Sequence, residues 1–573
     1  MKNKLSGAVV CSLSLLLTSA VSNAQSQAGK PITISNPTVQ RATHFEVSKP
    51  LRELIKTQAV AEGEEDDHGV LFPKGALQAG FTAAGRATIA DPVLQSRATT
   101  ATAATIGVNV LGVGKGFPGY TVPDAPTDAN LAVGDTQVVE WVNVSYAVFD
   151  KATGAVLAGP ITGKTLWSSL AGTECANQNS GDIITQWDKV AHRWVLHQPL
   201  FTAPYGACFA ISTTNDALGT YYLYSFPITQ GFPDYPKLGI WTDATGKVSG
   251  YFQTNNMFNA AGTAFLGAMP CAYERTKMLA GDPTASQVCI LDNSNGTLFD
   301  DSMIPGDLDS ENSLPPTGTD EVLLGSIDNF ATGTALYEYV FHVDFVTPAN
   351  STLTGVNGSM PITVPAFVGT CGFGNSCVPE PVVTSGNYLG SLGDRLMYRL
   401  AYRRAQPPPV LGPTLFKPTQ SWLISHSVET GAGTGSGMRW YEFRSPIATP
   451  TALTLYQSGT YAPDASWRWM GSLAMDKVGN ILLGYSTSST TVHPSINFAG
   501  RASTDALGTL GAEGLIVAGT GSQSGTGRRW GDYSSMAVDN NGCTFWYVNQ
   551  FYTTTGTFGW STQIASLSFP NCH

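Results

Sequence analysis

The chain of 573 residues is 42% apolar and 10% aromatic but only 13% charged, about half the roughly 25% charged content of an average soluble protein. That profile excludes a disordered or coiled-coil chain. With 31 Lys and Arg against 42 Asp and Glu, a net charge of −11 and no basic stripe, nucleic acid held by bulk charge is excluded as a partner.

In chain order, the first predicted element is a signal peptide over residues 1–24. Lys2 and Lys4 precede an apolar run from Ala8 to Leu17 that ends in Ser22-Asn23-Ala24, a small-x-small cleavage pattern. The expected product is secreted, extracellular or periplasmic, and not membrane-spanning, since no later apolar stretch reaches the ~20 residues a bilayer span needs. Cys11 falls within the leader, so eight of the nine cysteines remain, an even number for an oxidising compartment.

Residues 25–105 differ from the rest of the chain. They hold one acidic cluster, Glu62-Gly-Glu64-Glu65-Asp66-Asp67, an Ala/Thr-rich stretch from Ala98 to Thr105, and helix-like patterning only from Phe45 to Ile55. The region reads as an N-terminal arm, linker or pro-segment, mostly irregular, with the acidic run as a solvated loop.

From residue 106 to 573 an irregular repeat sets the architecture. Trp469 to Ser486 and Asp532 to Val548 each read as strand, tight turn, strand. The turns are Asp476-Lys-Val-Gly479 and Asp539-Asn-Asn-Gly542, in which Asp bonds the backbone two residues on and Gly accepts positive φ. The flanking runs are nearly all apolar, as strands buried on both faces should be. Weaker copies begin at Asp128, Asp182, Asp234, Asp320 and Asp394. Markers at positions 134, 188, 243, 328, 394, 476 and 539 step by 54, 55, 85, 66, 82 and 63 residues. Units of that size, together with Gly 61 and Pro 34 as turn formers, predict an all-β fold. The favoured architecture is a β-propeller of seven four-stranded blades, with six or eight as alternatives and stacked sandwiches as the competing arrangement.

These residues carry a resemblance. The units at Asp476 and Asp539 resemble the strand–turn core of NHL-type propeller repeats, and Asp539 to Trp546 is distantly similar to the Asp-box of sialidase-like propellers. The stretches Phe232-Pro-Asp-Tyr-Pro-Lys-Leu-Gly, Gly393-Asp-Arg-Leu-Met-Tyr-Arg-Leu-Ala-Tyr-Arg, Tyr461-Ala-Pro-Asp and Arg529-Trp-Gly-Asp-Tyr-Ser-Ser-Met resemble a family of exported bacterial propeller proteins. The resemblance implies fold and export and leaves activity open.

Chemistry is expected where the innermost strands begin. Asp recurs there at 128, 182, 234, 320, 394, 464 and 532, and in a propeller such residues would ring one mouth. Short polar side chains commonly cap local backbone; a few carboxyls in a low-dielectric mouth would instead push each other's pKa values apart, as an acid and base pair requires. The candidate catalytic residues are Asp182, Asp234, Tyr235, Asp394, Asp532 and Tyr533. The candidate substrate contacts are Lys237, Arg395, Arg468 and Arg529, suited to an acidic sugar, with Trp467, Trp469 and Trp530 as stacking surfaces or as blade packing. The expected function is binding or attack on a polysaccharide or cell-surface glycan, by glycoside hydrolysis through a carboxylate pair or by a lyase reaction. The alternative is a non-catalytic adhesion propeller recognising a sugar, a peptide or a cation. A monomer is expected, with no required cofactor.

Other chemistries lack their motifs. There is no His-Glu-x-x-His, Gly-x-Ser-x-Gly or phosphate-binding Gly-x-x-x-x-Gly-Lys-[Ser/Thr], and His192 and His197, five apart, would face opposite sides of a strand. Asp300, Asp301, Asp307, Asp309 and Glu311 form an oxygen-rich loop that could hold Ca2+, or a solvated loop without it. The cysteines are expected to pair with their sequence neighbours, Cys175–Cys208, Cys271–Cys289, Cys371–Cys377 and Cys543–Cys572, one of 105 connectivities.

Overall fold

Strands here have no hydrophobic alternation because both of their faces are covered. In a computed structural model of the protein, Asn130–Val133, Ile184–Asp188 and Gln137–Val142 are buried at every position, as strands between stacked sheets must be. The structure describes residues 30–57, 89–100, 103–123, 125–293, 301–326, 332–371, 376–381, 388–404, 419–431, 435–525 and 529–573. The leader, the acidic cluster, Asp300 and the marker at Asp328 lie outside the described residues. The sheets all belong to the unit Pro31–His573.

The arm contributes five strands: β1 (Thr33–Ile34), β2 (Thr38–Arg41), β3 (His44–Val47), β4 (Leu94–Gln95) and β5 (Thr105–Leu111). Among the described residues, the rest of the chain lays down seven principal antiparallel sets of strands in order, here sheets 1 to 7, and a separate antiparallel pair, Ser376–Val378 with Leu389–Gly390. Sheet 1 holds Asn130–Val133 to Val156–Thr162, sheet 2 Ile184–Asp188 to Tyr221–Pro227, and sheet 3 Phe232–Thr242 to Ser286–Cys289. Sheet 4 holds Ile304–Leu308 to Thr352–Thr354 with Pro361–Phe367 beside it, and sheet 5 Met397–Arg404 to Thr454–Tyr461. Sheet 6 holds Trp467–Met475 to Gly514–Val517, and sheet 7 Ser535–Val538 to Trp560–Ser568. Sheets 4 and 5 join into one hydrogen-bonded sheet, because Gly306–Leu308 pairs in parallel with Leu400–Tyr402.

The first strand of each sheet lies against the first strand of the next, and that of sheet 7 against that of sheet 1, a propeller-like arrangement. A buried polar network crosses between these strands. The Gln186 amide of sheet 2 donates to Leu238 O of sheet 3 (3.3 Å) and to Asp307 of sheet 4 (2.9 Å), and it contacts the Tyr398 hydroxyl of sheet 5. Arg399 of sheet 5 donates to Asp307 and Asp309, each at 2.5 Å, and to Met536 O of sheet 7 at 2.7 Å. These contacts tie five sheets to one centre.

The arm runs along the outside. β1 adds to sheet 4, β2 to sheet 3 and β3 to sheet 2 as outermost strands; β4 pairs in parallel with the last strand of sheet 5; β5 completes sheet 7 against Trp560–Ser568. Leu51, in the short helix Leu51–Leu54, is buried in the core against sheets 1 and 2.

The predicted turns occur at the far end of the first strands. Asp188, Asp243, Asp476 and Asp539 each accept backbone N–H groups two to four residues on, at 2.8–3.3 Å. Gly479 and Gly542 take φ of 89° and 73° there, where a Cβ is disfavoured. All four expected disulfides form: Cys175–Cys208, Cys271–Cys289, Cys371–Cys377 and Cys543–Cys572. The second joins residues directly opposite on adjacent strands.

Candidate functional site

At the near end of the first strands the backbone repeats a conformation. Asp128, Asp182, Tyr235, Ser302, Met470 and Asp532 all have φ between 46° and 52°, each leading into, or bulging within, the first strand of its sheet. L-residues adopt this region at a cost of roughly 1–2 kcal/mol, least for Asp. Such a turn redirects the chain so that the residues around it converge on the centre. The recurrence predicted as Asp is thus a recurrence of backbone shape, and Asp fills it only in sheets 1, 2 and 7.

Two predicted members therefore sit elsewhere. Asp320 precedes the second strand of sheet 4 and faces His342 at 2.8 Å; the equivalent of its neighbours is Asp301-Ser302, two residues before Ile304. Asp464 is mostly exposed and holds Arg468 at 3.0 Å. Arg468 also pairs with Glu513 at 2.8 Å, so this arginine does not join the cluster. The signal for Asp301-Ser302 was present in the sequence as an offset from the apolar run, unaccompanied by a turn motif.

The remaining predicted residues do come together. Lys237 is fully buried, its Nζ 3.5 Å from the Tyr235 ring centroid and 4.1 Å from that of Tyr533, and it donates to Pro236 O at 2.9 Å. Arg395 covers Tyr235 at 4.7 Å and forks onto Asp394 at 2.9 and 3.2 Å. Arg529 donates to Asp532 at 2.6 Å. Asp182 and Asp234 are half-buried, and the buried Asp128 lies beside Asp182. The group draws on sheets 1, 2, 3, 5 and 7.

Burial dominates the electrostatics. It pushes Asp234 up to about 8, with the Asp182 charge adding to the effect and Arg395 and Arg529 opposing it. Burial also raises Asp182, against the pull of Lys237. It lowers Lys237 to about 8, while Asp182, Asp128 and Asp532 support its charge. With Asp234 and Asp182 both pushed toward their protonated forms and Lys237 toward its neutral one, the cluster holds groups able both to give and to accept protons.

Several side chains take other places than those expected. Tyr235 and Tyr533 donate their hydroxyls to Asp532 O (3.3 Å) and Ile183 O (3.0 Å), and burial raises both phenols. They wall in Lys237 rather than offer a free hydroxyl for proton transfer. Trp469 and Trp530 are fully buried and pack on each other at 5.7 Å, so neither presents a face to a sugar; Trp467 is partly buried beside them. The acidic loop is also engaged. Asp307 and Asp309 hold Arg399, Asp301 lies near Arg395, and Glu311 meets His192 Nε2 at 3.0 Å. Among the described residues no group of three or more His, Cys, Asp or Glu is placed to hold a metal ion. His192 sits on a turn between Glu311 and Asp135, while His197 is buried against Phe209.

No protein-family model matches the chain, and no curated protein does. Among solved structures, one similar chain is a protein of unknown function from Dyadobacter fermentans, at 9% identity and TM-score 0.29 over 80% of this chain and 98% of that one. Another is an endo-arabinase from Bacteroides thetaiotaomicron, at 14% and 0.26 over 57% and 95%. A third is the polysaccharide lyase Uly1, at 10% and 0.33 over 78% and 91%. These distant likenesses single out no NHL or Asp-box family, and with TM-scores this low they carry no argument about function.

Proposed function

We propose that the chain is an exported propeller of seven blades, sealed by β5 against the last sheet, whose central mouth binds and cleaves an extracellular glycan. The observation that carries the reading is the convergence of Asp128, Asp182 and Asp234 from three successive sheets, with Asp182 and Asp234 half-buried and Asp234 held protonated near neutrality. In this reading Asp234 is the general acid that protonates the leaving oxygen, and Asp182, when it loses its proton, is the base or nucleophile. Lys237, beneath the two tyrosines, favours that ionisation. The reaction calls for no cofactor and for a single copy of the chain. The resemblance to exported bacterial propeller proteins fits this reading, and the NHL-like and Asp-box-like turns belong to the far end of the first strands, away from the site.

A second reading has its own observation. Asp394 and Asp532 are fixed in short ion pairs with Arg395 and Arg529, the first buried and the second partly exposed, a rigid polar frame suited to recognition without chemistry. Incubating the purified chain with neutral and acidic polysaccharides, and following reducing ends and unsaturated products, separates the two. Cleavage that Asp234→Asn abolishes supports hydrolysis. Binding without cleavage supports recognition, and equal cleavage by wild type, Asp182→Asn and Asp234→Asn overturns the placement of the site.

A further inference from the structure

The sequence suggested an acidic sugar, because three arginines from separate sheets could converge on it. The structure removes that basis. Arg468 is bound elsewhere by Asp464 and Glu513. Arg395 is 2% exposed and doubly bonded to Asp394, and Arg529 is bonded to Asp532. The third cation, Lys237, lies under two aromatic rings with no exposed surface. A guanidinium recognises a carboxylate or sulfate by offering paired N–H donors in a fork, and at this mouth the fork of Arg395 is already occupied.

The charge balance leads to the same place. Six carboxyl groups, Asp128, Asp182, Asp234, Asp301, Asp394 and Asp532, surround three cations, Lys237, Arg395 and Arg529. Burial raises Asp234 and Asp182 toward their protonated forms. An anion would have to break an existing ion pair, Arg395 with Asp394 or Arg529 with Asp532, to reach a guanidinium. Protonated and ionised carboxyls side by side instead supply both donors and acceptors, which is what a sugar hydroxyl, itself donor and acceptor, requires.

Building on the glycan reading above, we infer that the mouth selects an uncharged, hydroxyl-rich glycan and excludes uronate- or sulfate-bearing ones, because its arginines are committed to its own aspartates. The preference can be changed by the same route. Removing the charge of Asp394 or Asp532 releases a guanidinium into the mouth.

The test is calorimetric binding at pH 7 of neutral cello-, xylo-, manno- and arabino-oligosaccharides and of oligogalacturonates, in roughly 20 and 500 mM NaCl. The expected result is binding within the neutral set that salt changes by less than about twofold, since no net charge is exchanged for screening to weaken. Oligogalacturonates should bind at least about tenfold more weakly. Asp532→Asn, at the partly exposed pair, and Asp394→Asn, at the buried one, should each narrow that gap by about tenfold or more. Circular dichroism confirms that each variant is folded, and either one suffices. Preferential binding of oligogalacturonates by the wild type overturns the inference and leaves the glycan reading standing. Unchanged discrimination in every folded variant also overturns it. Absence of binding to every oligosaccharide by a folded wild type overturns both.

Discussion

Glu140 shows how a single residue can report on the environment of the whole assembly. It is fully buried, accepts the Val113 N–H at 2.7 Å and lies 2.6 Å from Thr562 Oγ1, which is itself 2.6 Å from Val113 O. A neutral carboxyl satisfies every group in that chain, donating to Thr562, which donates to Val113. Burial accordingly lifts Glu140 to about 7 from 4.5. A carboxyl with a raised folded pKa stabilises fully below its unfolded value and loses that contribution as pH climbs through its folded one. Wild-type stability should therefore fall between about pH 5 and pH 7, by about 3 kcal/mol from this group alone. Glu140→Gln, which keeps both hydrogen bonds, should match the wild type near pH 4.5 and exceed it at pH 8; denaturant titrations at the two pH values measure this. Asp234 sets a second pH limit. Its acid role needs the proton it loses near pH 8, so turnover should decline on the alkaline side, and Asp234→Asn should lower it by ~100-fold or more at neutral pH. A rate that rises through pH 9 would remove Asp234 from the acid role.

Among the elements, legibility followed the range of the interactions. The Asp-x-x-Gly turns at 243, 476 and 539 were readable because their hydrogen bonds stay within four residues. The four disulfides were readable because they join near neighbours, and Cys543–Cys572, spanning 29 residues, ties the end of the chain to the first hairpin of sheet 7. Replacing both of its cysteines by Ser should cost about 3 kcal/mol, read as a lowered Tm with the other three disulfides intact. The strand lead-ins were only half readable. At Tyr235, Ser302 and Met470 the φ is positive although no residue preference announces it. The arm strands were not readable at all. β1 to β4 are two to four residues long and largely exposed, so neither length nor periodicity marks them, and their partners lie hundreds of positions away. Of the site, the Asp, Arg and Lys residues were legible as a recurrence, whereas the closure of Arg395 and Arg529 onto their own neighbours was visible only in three dimensions.

For the molecule as a whole, the arm acts as an edge cover. β1, β2 and β3 occupy the outer edges of sheets 4, 3 and 2, edges that would otherwise present unpaired N–H and C=O groups to another chain. Removing residues 31–47 should leave the central strands folded but make the protein self-associate, so light scattering should show oligomers at concentrations where the full chain is monodisperse. A truncated protein that stays monomeric would show those edges to be protected by other means. The same lacing has a temporal side. Thr33 meets Thr354 across 321 positions, and Asn109 meets Gln563 across 454, so each of these strands waits for a partner made much later, and β5 waits longest. Such long-range closure slows folding. A nascent chain must hold β5 unpaired until sheet 7 is complete, so this last pairing forms only once the whole chain has been made.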